Sequence, residues 1–413
     1  MIRPKSFSPV IFNDPVHGFV HVLDPLAFTV IEHPYFQRLR RILQLGVAFL
    51  VYPGGTHSRF LHALGAYHLM GRALEIIRMK GFEVDPEKAR AARLAILLHD
   101  IGHGPFSHAL EGLFINAPHE EISLALMEAL NEDLHGALQP AIDLFRQKTS
   151  PPFFYELVSG QLDVDRLDYL IRDSFYTGVS EGVIGLERIL TMLTVWEGHL
   201  AVERKAIYSL EKFIVARRLM YWQVYYHKTN IAADVVLTKA LRRVAELYDS
   251  GVSVPLPSPL AFLFQHRKTP FQGHSHQKAL VEAFAQLDDY DILYYMKQWQ
   301  DASDAVLGRL ARMFVTRRLM RVKILTHPIS EEQEMQICRR IQQTFDLPDS
   351  EVHYFFEKGT LSNEAYVKGA SNIRVVGPDG VSDLAEASDN ANILALARPV
   401  VKYYVAYPKA IEA

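Results

Sequence analysis

The stretch Leu94–Glu111, LAILLHDIGHGPFSHALE, decides how the rest of the chain is read. It opens apolar, with Leu94, Ile96, Leu97 and Leu98, and then sets His99 beside Asp100. His103 follows four residues after His99, and His108 comes just beyond. On a helix His99 and His103 share a face, and Asp100 lies alongside His99. Imidazole and carboxylate suit a borderline divalent cation, and two adjacent ligands at the end of a buried helix supply half a site. Gly102 and Gly104 loosen the backbone after the pair, and Pro105 ends the helical run. The plainer reading is a histidine-rich helix end whose charge suits the C-terminal dipole. Acidic and histidine partners at useful spacing elsewhere weigh against it.

Around this stretch the chain has the composition of an ordinary soluble globular protein. Its 413 residues are 49% apolar and 22% charged, enough for one large domain or a large and a small one. The net charge of −3 gives no global basic field to recruit nucleic acid, although local basic clusters such as Arg317-Arg318 and Arg321-Lys323 exist. The single cysteine, Cys338, excludes an internal disulfide framework and suits a reducing compartment. No apolar run approaches the roughly 20 residues a membrane helix needs. The N-terminal MIRPKSFSPVIF has no long apolar core or small-residue cleavage site and reads as mature protein. A cytoplasmic location is expected.

Taken in order, residues 9–25 alternate around Asn13-Asp14-Pro15 and Gly18 and predict a hairpin. From Pro25 the period becomes helical, broken at Pro34. Val51–Gly55 is a loop. Helices are expected over His62–Met79, Ala91–Asp100, His119–Leu130 and Gln161–Asp173, with one long helical run over Leu210–Leu247. Gly251–Pro259 is a proline-rich loop, after which helical pattern resumes through Gln277–Gln300 and Ala302–Arg318. The last part changes character. Strands are expected at Val322–Thr326, Glu351–Phe356, Asn372–Val376 and Val400–Ala406, with helices at Ser330–Phe345 and Ala391–Ala397. The fold class is therefore mostly α: a helical domain over residues 1–320 and a small α+β lobe over 321–413.

Two more segments could complete a metal site with His99 and Asp100. One is His62, in Arg59-Phe-Leu-His62 at a helix start. The other is Asp165, in LDVDRLDYLIRD. Asp165, Asp168, Tyr169 and Asp173 fall on one helical face. A solvated face with local ion pairs to Arg166 and Arg172 explains that stripe equally well from spacing alone.

The string LLHDIGHGPFSH resembles the signature of HD-domain phosphohydrolases, and most of all the branch of SAM-and-HD-domain deoxynucleoside triphosphate triphosphohydrolases with its bacterial relatives. The likeness continues through NDPVHG (Asn13–Gly18), FQRLRRILQLG (Phe36–Gly46), HSRFLHALG (His57–Gly65), QLDVDRLDYLIRDS (Gln161–Ser174) and YYHK (Tyr225–Lys228). It spans about residues 10–245 of the chain. The resemblance implies an HD-type helical core in which His62, His99, Asp100 and Asp165 hold one divalent ion, with iron, manganese, magnesium, nickel or zinc as candidates. It implies His108 as general acid, with His103 and His119 nearer the phosphates. Glu111 follows His108 by three residues and can orient it, where the family usually carries the shorter Asp. Arg59, Arg166 and Arg217 match phosphate-contact positions. Gln44 and Asp173 match residues that bond a ribose 3′ hydroxyl, Leu45 and Tyr225 a wall against a 2′ hydroxyl, and Tyr169 a residue packed on the sugar. The implied reaction turns a deoxynucleoside triphosphate and water into deoxynucleoside and triphosphate, and the implied assembly is a homo-oligomer, dimer or higher. At the branch's allosteric contacts this chain departs: Val10 and Glu203 replace basic-site residues, Glu32 stands for Asp, and Lys205 is kept. A constitutive enzyme or a different activator is expected. The rival readings are a phosphohydrolase for a nucleoside monophosphate or guanosine alarmone, and a nucleotide- or nucleic-acid-binding regulator with vestigial hydrolysis.

Overall fold

The computed structural model describes residues 8–367, 369 and 372–412. The first seven residues of the N-terminal stretch lie outside the described residues, as does the side chain of His108. The chain opens with an antiparallel hairpin, β1 (Val10–Asp14) and β2 (Gly18–Val22). Asp14 shapes its turn, because Oδ1 accepts from the amides of both Val16 and His17 at 2.8 Å.

The core is built on the 21-residue helix Arg59–Met79, whose Phe60, Leu64, Tyr67, Met70, Leu74 and Ile77 are all buried. Apolar residues on every side of a helix require neighbours on every side. The helices Pro86–Leu98 and Val164–Thr177 supply two of them. The first starts where Asp85 caps the amide of Lys88 and Pro86 sits at the first turn. It ends at Leu98, two residues sooner than expected, so the HD pair lies in the turn beyond the helix. The second is capped by Asp163 and stopped by Gly178 in a left-handed conformation. The expected run Leu210–Leu247 is two helices, Ile207–Met220 and Lys228–Asp249, separated by a π-helical turn over Tyr221–Tyr225. His227 caps the second of them. Beyond residue 251, helices Asp289–Trp299 and Ala305–Val315 pack back on the core, the latter against Lys228–Asp249.

The C-terminal part is less separate than expected. Its sheet has the order β5-β9-β6, all antiparallel, from β5 (Arg321–Leu325), β6 (Glu357–Asn363) and β9 (Val400–Tyr407). The helix Glu331–Phe345 is capped by Ser330, with Gln333 closing a capping box. Glu351–Phe356 is not a strand. A short helix, Asp349–Val352, occupies its start, and β6 begins only at Glu357. Strands β7 (Arg374–Gly377) and β8 (Gly380–Asp383) leave this lobe entirely. They extend the core hairpin of β3 (Leu193–Trp196) and β4 (His199–Glu203) in the order β3-β4-β7-β8, with β7 parallel to β4. Among the described residues no helix is long and apolar enough to cross a membrane.

Candidate metal centre and active site

Three elements converge on one point. The start of Arg59–Met79 brings His62, the turn after Pro86–Leu98 brings His99 and Asp100, and the start of Val164–Thr177 brings Asp165. His62 Nε2 lies 3.1 Å from Asp165 Oδ1 and 3.7 Å from Asp100 Oδ2. His99 Nε2 lies 3.3 Å from Asp100 Oδ1 and 3.5 Å from Asp165 Oδ1. Ligand bonds of about 2 Å produce edges of this length in a coordination polyhedron. Both Nε2 atoms are buried and have no well-formed hydrogen bond, although carboxylate oxygens stand close by. Buried imidazole nitrogens in that state fit a cation and little else.

The opposite ring nitrogens explain the aim. His99 Nδ1 bonds the carbonyl of Ile96 at 2.6 Å, which fixes Nδ1 as the donor and Nε2 as the lone pair. His62 Nδ1 bonds Asp168 Oδ2 at 2.7 Å. Asp168 also contacts His17 Nε2 at 2.6 Å and Arg172 Nε at 2.8 Å, and Arg172 Nη1 reaches Asp14 at 2.8 Å. A carboxylate behind a metal-binding histidine sets its tautomer and basicity. Gly65 makes the approach possible, since a Cβ there would stand 2.0 Å from Asp168 Oδ1. Gly102 does the same for the HD turn. Its amide bonds Ser123 Oγ, which donates to the carbonyl of His99, and a Cβ would collide with the Ser123 amide at 2.2 Å.

The charges agree with this geometry. Burial alone would lower the His62 pKa, but the Asp165 and Asp168 carboxylates beside it raise it to about 10. Burial would raise Asp100 and Asp165. The charges of His99, Arg59 and His103 hold Asp100 well below the usual carboxylate range, and the imidazoles of His62 and His99 close by hold Asp165 low.

Among the other expected residues, Arg59 and His103 reach this cluster through Asp100. The His103 and His119 rings lie tilted with centroids 4.0 Å apart. Glu111 accepts from the His119 amide at 2.9 Å and from its Nδ1 at 3.0 Å, so its described contacts are to His119. A small recess here is lined by His103, Ser107, Glu111, His119 and Phe284. Arg59 is buried against Asp100 and donates its Nε to Ser107 Oγ at 2.9 Å.

Of the residues expected at the sugar and phosphates, Asp173 and Arg217 are buried. Tyr225, on the π-helical turn, donates to Asp173 Oδ2 at 2.8 Å. Burial and the Asp173 charge keep its phenol protonated. His57 bonds the other oxygen of Asp173 at 2.8 Å. Tyr169 and Tyr225 meet edge to face at 6.3 Å. Gln44 Oε1 is buried without a partner, and so are Nε and Nη1 of Arg217. Arg166, by contrast, is paired with Asp163, the cap of its own helix.

Sequence reasoning missed the supports. His57 has an ordinary surface explanation by sequence, yet it is 2% exposed and bonded to Asp173. Asp168 and Arg172 do form a local ion pair, but both are fully buried, so the solvated-face reading of that stripe fails. The signal was the stripe itself, with the hairpin residues Asp14 and His17 in NDPVHG as its far partners.

The family model for the HD domain matches residues 59–172, and that for the HD-associated region matches residues 184–253. A phosphohydrolase of Bacteroides thetaiotaomicron VPI-5482 superposes with a TM-score of 0.91 at 42% identity, covering 97% of this chain and 100% of that one. This chain belongs to the HD-domain phosphohydrolases. The protein YwfO of Bacillus subtilis, described as uncharacterized, is 36% identical over 322 residues, 76% of this HD-domain chain and 72% of its own. The deoxynucleoside triphosphate triphosphohydrolase SAMHD1 of Gallus gallus is 29% identical over 287 residues, 59% of this chain and 46% of that protein. The HD-domain chain thus spans about half the length of such relatives.

Proposed function

We propose that this chain is a deoxynucleoside triphosphate triphosphohydrolase, cutting at the α-phosphorus to release deoxynucleoside and intact triphosphate. The observation that carries the reading is the sugar-side group. It comprises Asp173, held by His57 and Tyr225, the partnerless Gln44 Oε1 and the partnerless, buried Nε and Nη1 of Arg217. Buried polar groups left open in this way are costly unless a ligand answers them. SAMHD1 relatives act on deoxynucleoside triphosphates by name, in keeping with this reading.

In this proposal His62, His99, Asp100 and Asp165 hold one divalent ion of unassigned identity. Such an ion, when bound, lowers the pKa of water and shields phosphoryl charge. Arg217 binds phosphate oxygens through its open donors. Arg59 joins it from beside Asp100, and Arg166 does so only by giving up part of its bond to Asp163. His108 gives a proton to the leaving 5′ oxygen, with His103 and the Glu111–His119 pair at the phosphates. Gln44 and Asp173 take the 3′ hydroxyl, while Leu45, Tyr169 and Tyr225 close the space where a 2′ hydroxyl would lie. Glu203, bonded to Lys80 at 2.6 Å, puts a carboxylate where an activating triphosphate would need a cation, which favours an enzyme active without one.

The test is release of triphosphate from matched dNTP, rNTP and ddNTP. Deoxynucleotides are expected to react and the other two poorly. Tyr225→Ala should admit ribonucleotides, and Arg217→Ala should weaken all triphosphates alike. Equal wild-type rates on dNTP and rNTP would sink the reading. Release of orthophosphate would point to another phosphate ester as the substrate.

A further inference from the structure

Asp289 lies outside both matched family segments, at the first position of the helix Asp289–Trp299, and is 1% exposed. It is not used to cap that helix. Asp288 and Asp291 form the capping box. Instead Asp289 spends its two oxygens on two distant backbone amides. Oδ2 accepts from Leu43 at 2.8 Å and Oδ1 from Phe106 at 2.7 Å.

These amides belong to the two loops that bracket the metal centre. The Leu43 loop leads into Gln44 and Leu45 and is tied to the His57–Arg59 segment by Gln44 N to His57 O and Arg59 N to Ile42 O, both 2.9 Å. The Phe106 loop is strained, with Phe106 and Ser107 both at φ 54°. That region suits glycine, and two consecutive non-glycine residues stay there only when their surroundings hold them. The loops also touch: a Cβ on Gly46 would stand 3.1 Å from the Phe106 carbonyl. Ser107 Oγ donates to the Leu43 carbonyl at 3.1 Å and accepts from Arg59 Nε at 2.9 Å, and Arg59 pairs with Asp100. An unbroken path therefore runs from Asp289 to a metal ligand. Arg38, also buried, closes the bracket from the other side, donating to Leu287 O at 3.1 Å and to Ile101 O and His103 O at 2.9 Å.

We propose that Asp289 is a positioning residue for the hydrolytic reaction, setting the Gln44–Leu45 loop and the strained Phe106–Ser107 turn against each other beside the metal centre. The inference rests on the reading of that centre as hydrolytic. A carboxylate in so buried a place is unfavourable, and burial pushes its pKa up to about 7 against the two amide bonds. A neutral side chain would suit the core better if packing were its only task.

The test uses Asp289→Asn, which keeps the shape, and Asp289→Ser, which removes the acceptor without adding an amide that could clash. Metal content, steady-state kinetics of triphosphate release and hydrogen exchange at the Leu43 and Phe106 amides are measured on the full chain. Both variants should keep wild-type metal stoichiometry. Their kcat should fall about ten- to hundredfold, with KM changing less, as expected for misplacement of about 1 Å. The two amides should exchange faster while those within Arg59–Met79 do not. Wild-type kcat in either folded variant, unchanged exchange at both amides, or metal loss in step with activity would overturn the proposal. So would failure of both variants to fold, which would make Asp289 a plain structural brace. The exchange measurement needs no substrate. If the wild type turned over no dNTP, the functional reading would fall and the two amides would still decide the role of Asp289.

Discussion

In the helical core, Asp168 shares one carboxylate among His17, His62 and Arg172, yet the Nε2 atoms of His62 and His99 a few ångströms away have no well-formed hydrogen bond. At the seam with the C-terminal lobe an equally dense network is complete. Arg243 bonds Asp304 at 2.6 Å and Glu351 at 3.0 Å, and Lys239 bonds Glu357 at 2.6 Å. The core takes its charges fully out of water and the seam only partly, so the core carries the larger desolvation cost. The seam answers its charges with its own chain, which holds two parts together. The core answers them only on the far side of each imidazole and leaves the near side open. At the core site the open atoms are imidazole nitrogens that converge with carboxylates, and that convergence marks where a cation from outside can bind.

The largest effect should follow from removing an open group. Asp100→Ala is expected to lose both the divalent ion and turnover, by several orders of magnitude, because the ion would lose a ligand and its charge together. Elemental analysis of purified protein and triphosphate release check it. Full metal content in a folded Asp100→Ala protein would break the contrast drawn above. Next comes a group one layer back. Asp168→Asn keeps the shape but replaces the acceptor for His62 Nδ1, and metal affinity should fall about 10- to 100-fold. Competition with a chelator of known strength measures this. Unchanged affinity would mean that Asp168 serves only Arg172 and the hairpin.

How much of this was legible in the sequence follows the same division. The four-residue set of His62, His99, Asp100 and Asp165 came from the likeness to the HD family, since spacing alone left the Asp165 stripe equally explicable as a solvated face. The closed groups were not readable. Asp168 and His17 are 151 residues apart, and Phe106 and Asp289 are 183 apart. Periodicity shows which face a residue is on but not what packs opposite. The π turn at Tyr221–Tyr225 was invisible for a related reason, since it interrupts the backbone without interrupting the apolar spacing. In the C-terminal lobe, EVHYFF over 351–356 has strand-like composition, but Pro348 and Asp349 start a helical turn and delay the strand to Glu357. Strand β8 is not among the expected strands, and the turn at Gly377–Gly380 joins it to β7 as a hairpin.

The lobe side of the contrast has its own test. Arg243→Met breaks the network and strands Asp304 and Glu351. Stability should fall by about 2–3 kcal/mol, read as a lower urea midpoint, while metal content and kcat stay at wild-type values. A loss of metal with this substitution would show that the seam is coupled to the centre, and the two regions could no longer be treated as separate.

The smallest effect concerns acid sensitivity behind the metal centre. His68 lies beside His17, ring centroids 5.7 Å apart. Burial first, then the charges of His17, Arg72 and Arg93, lower its pKa to about 4. An ordinary histidine in the unfolded chain titrates near 6.5. Above that value neither state holds the proton, so His68 has no ionisation effect on stability. As the pH falls from about 6.5 to about 4, the unfolded chain takes up a proton that the folded chain refuses, and stability must decline. His68→Gln removes that one term. Its unfolding free energy should fall less steeply than the wild type's across this window, by an amount on the order of 1 kcal/mol once solvent screening of a half-buried group is discounted. Urea titrations of both proteins at matched metal content make the comparison, so that protonation of the metal ligands cancels. Parallel slopes would place the acid sensitivity of the core in the Asp168 network instead, and would make His68 packing alone.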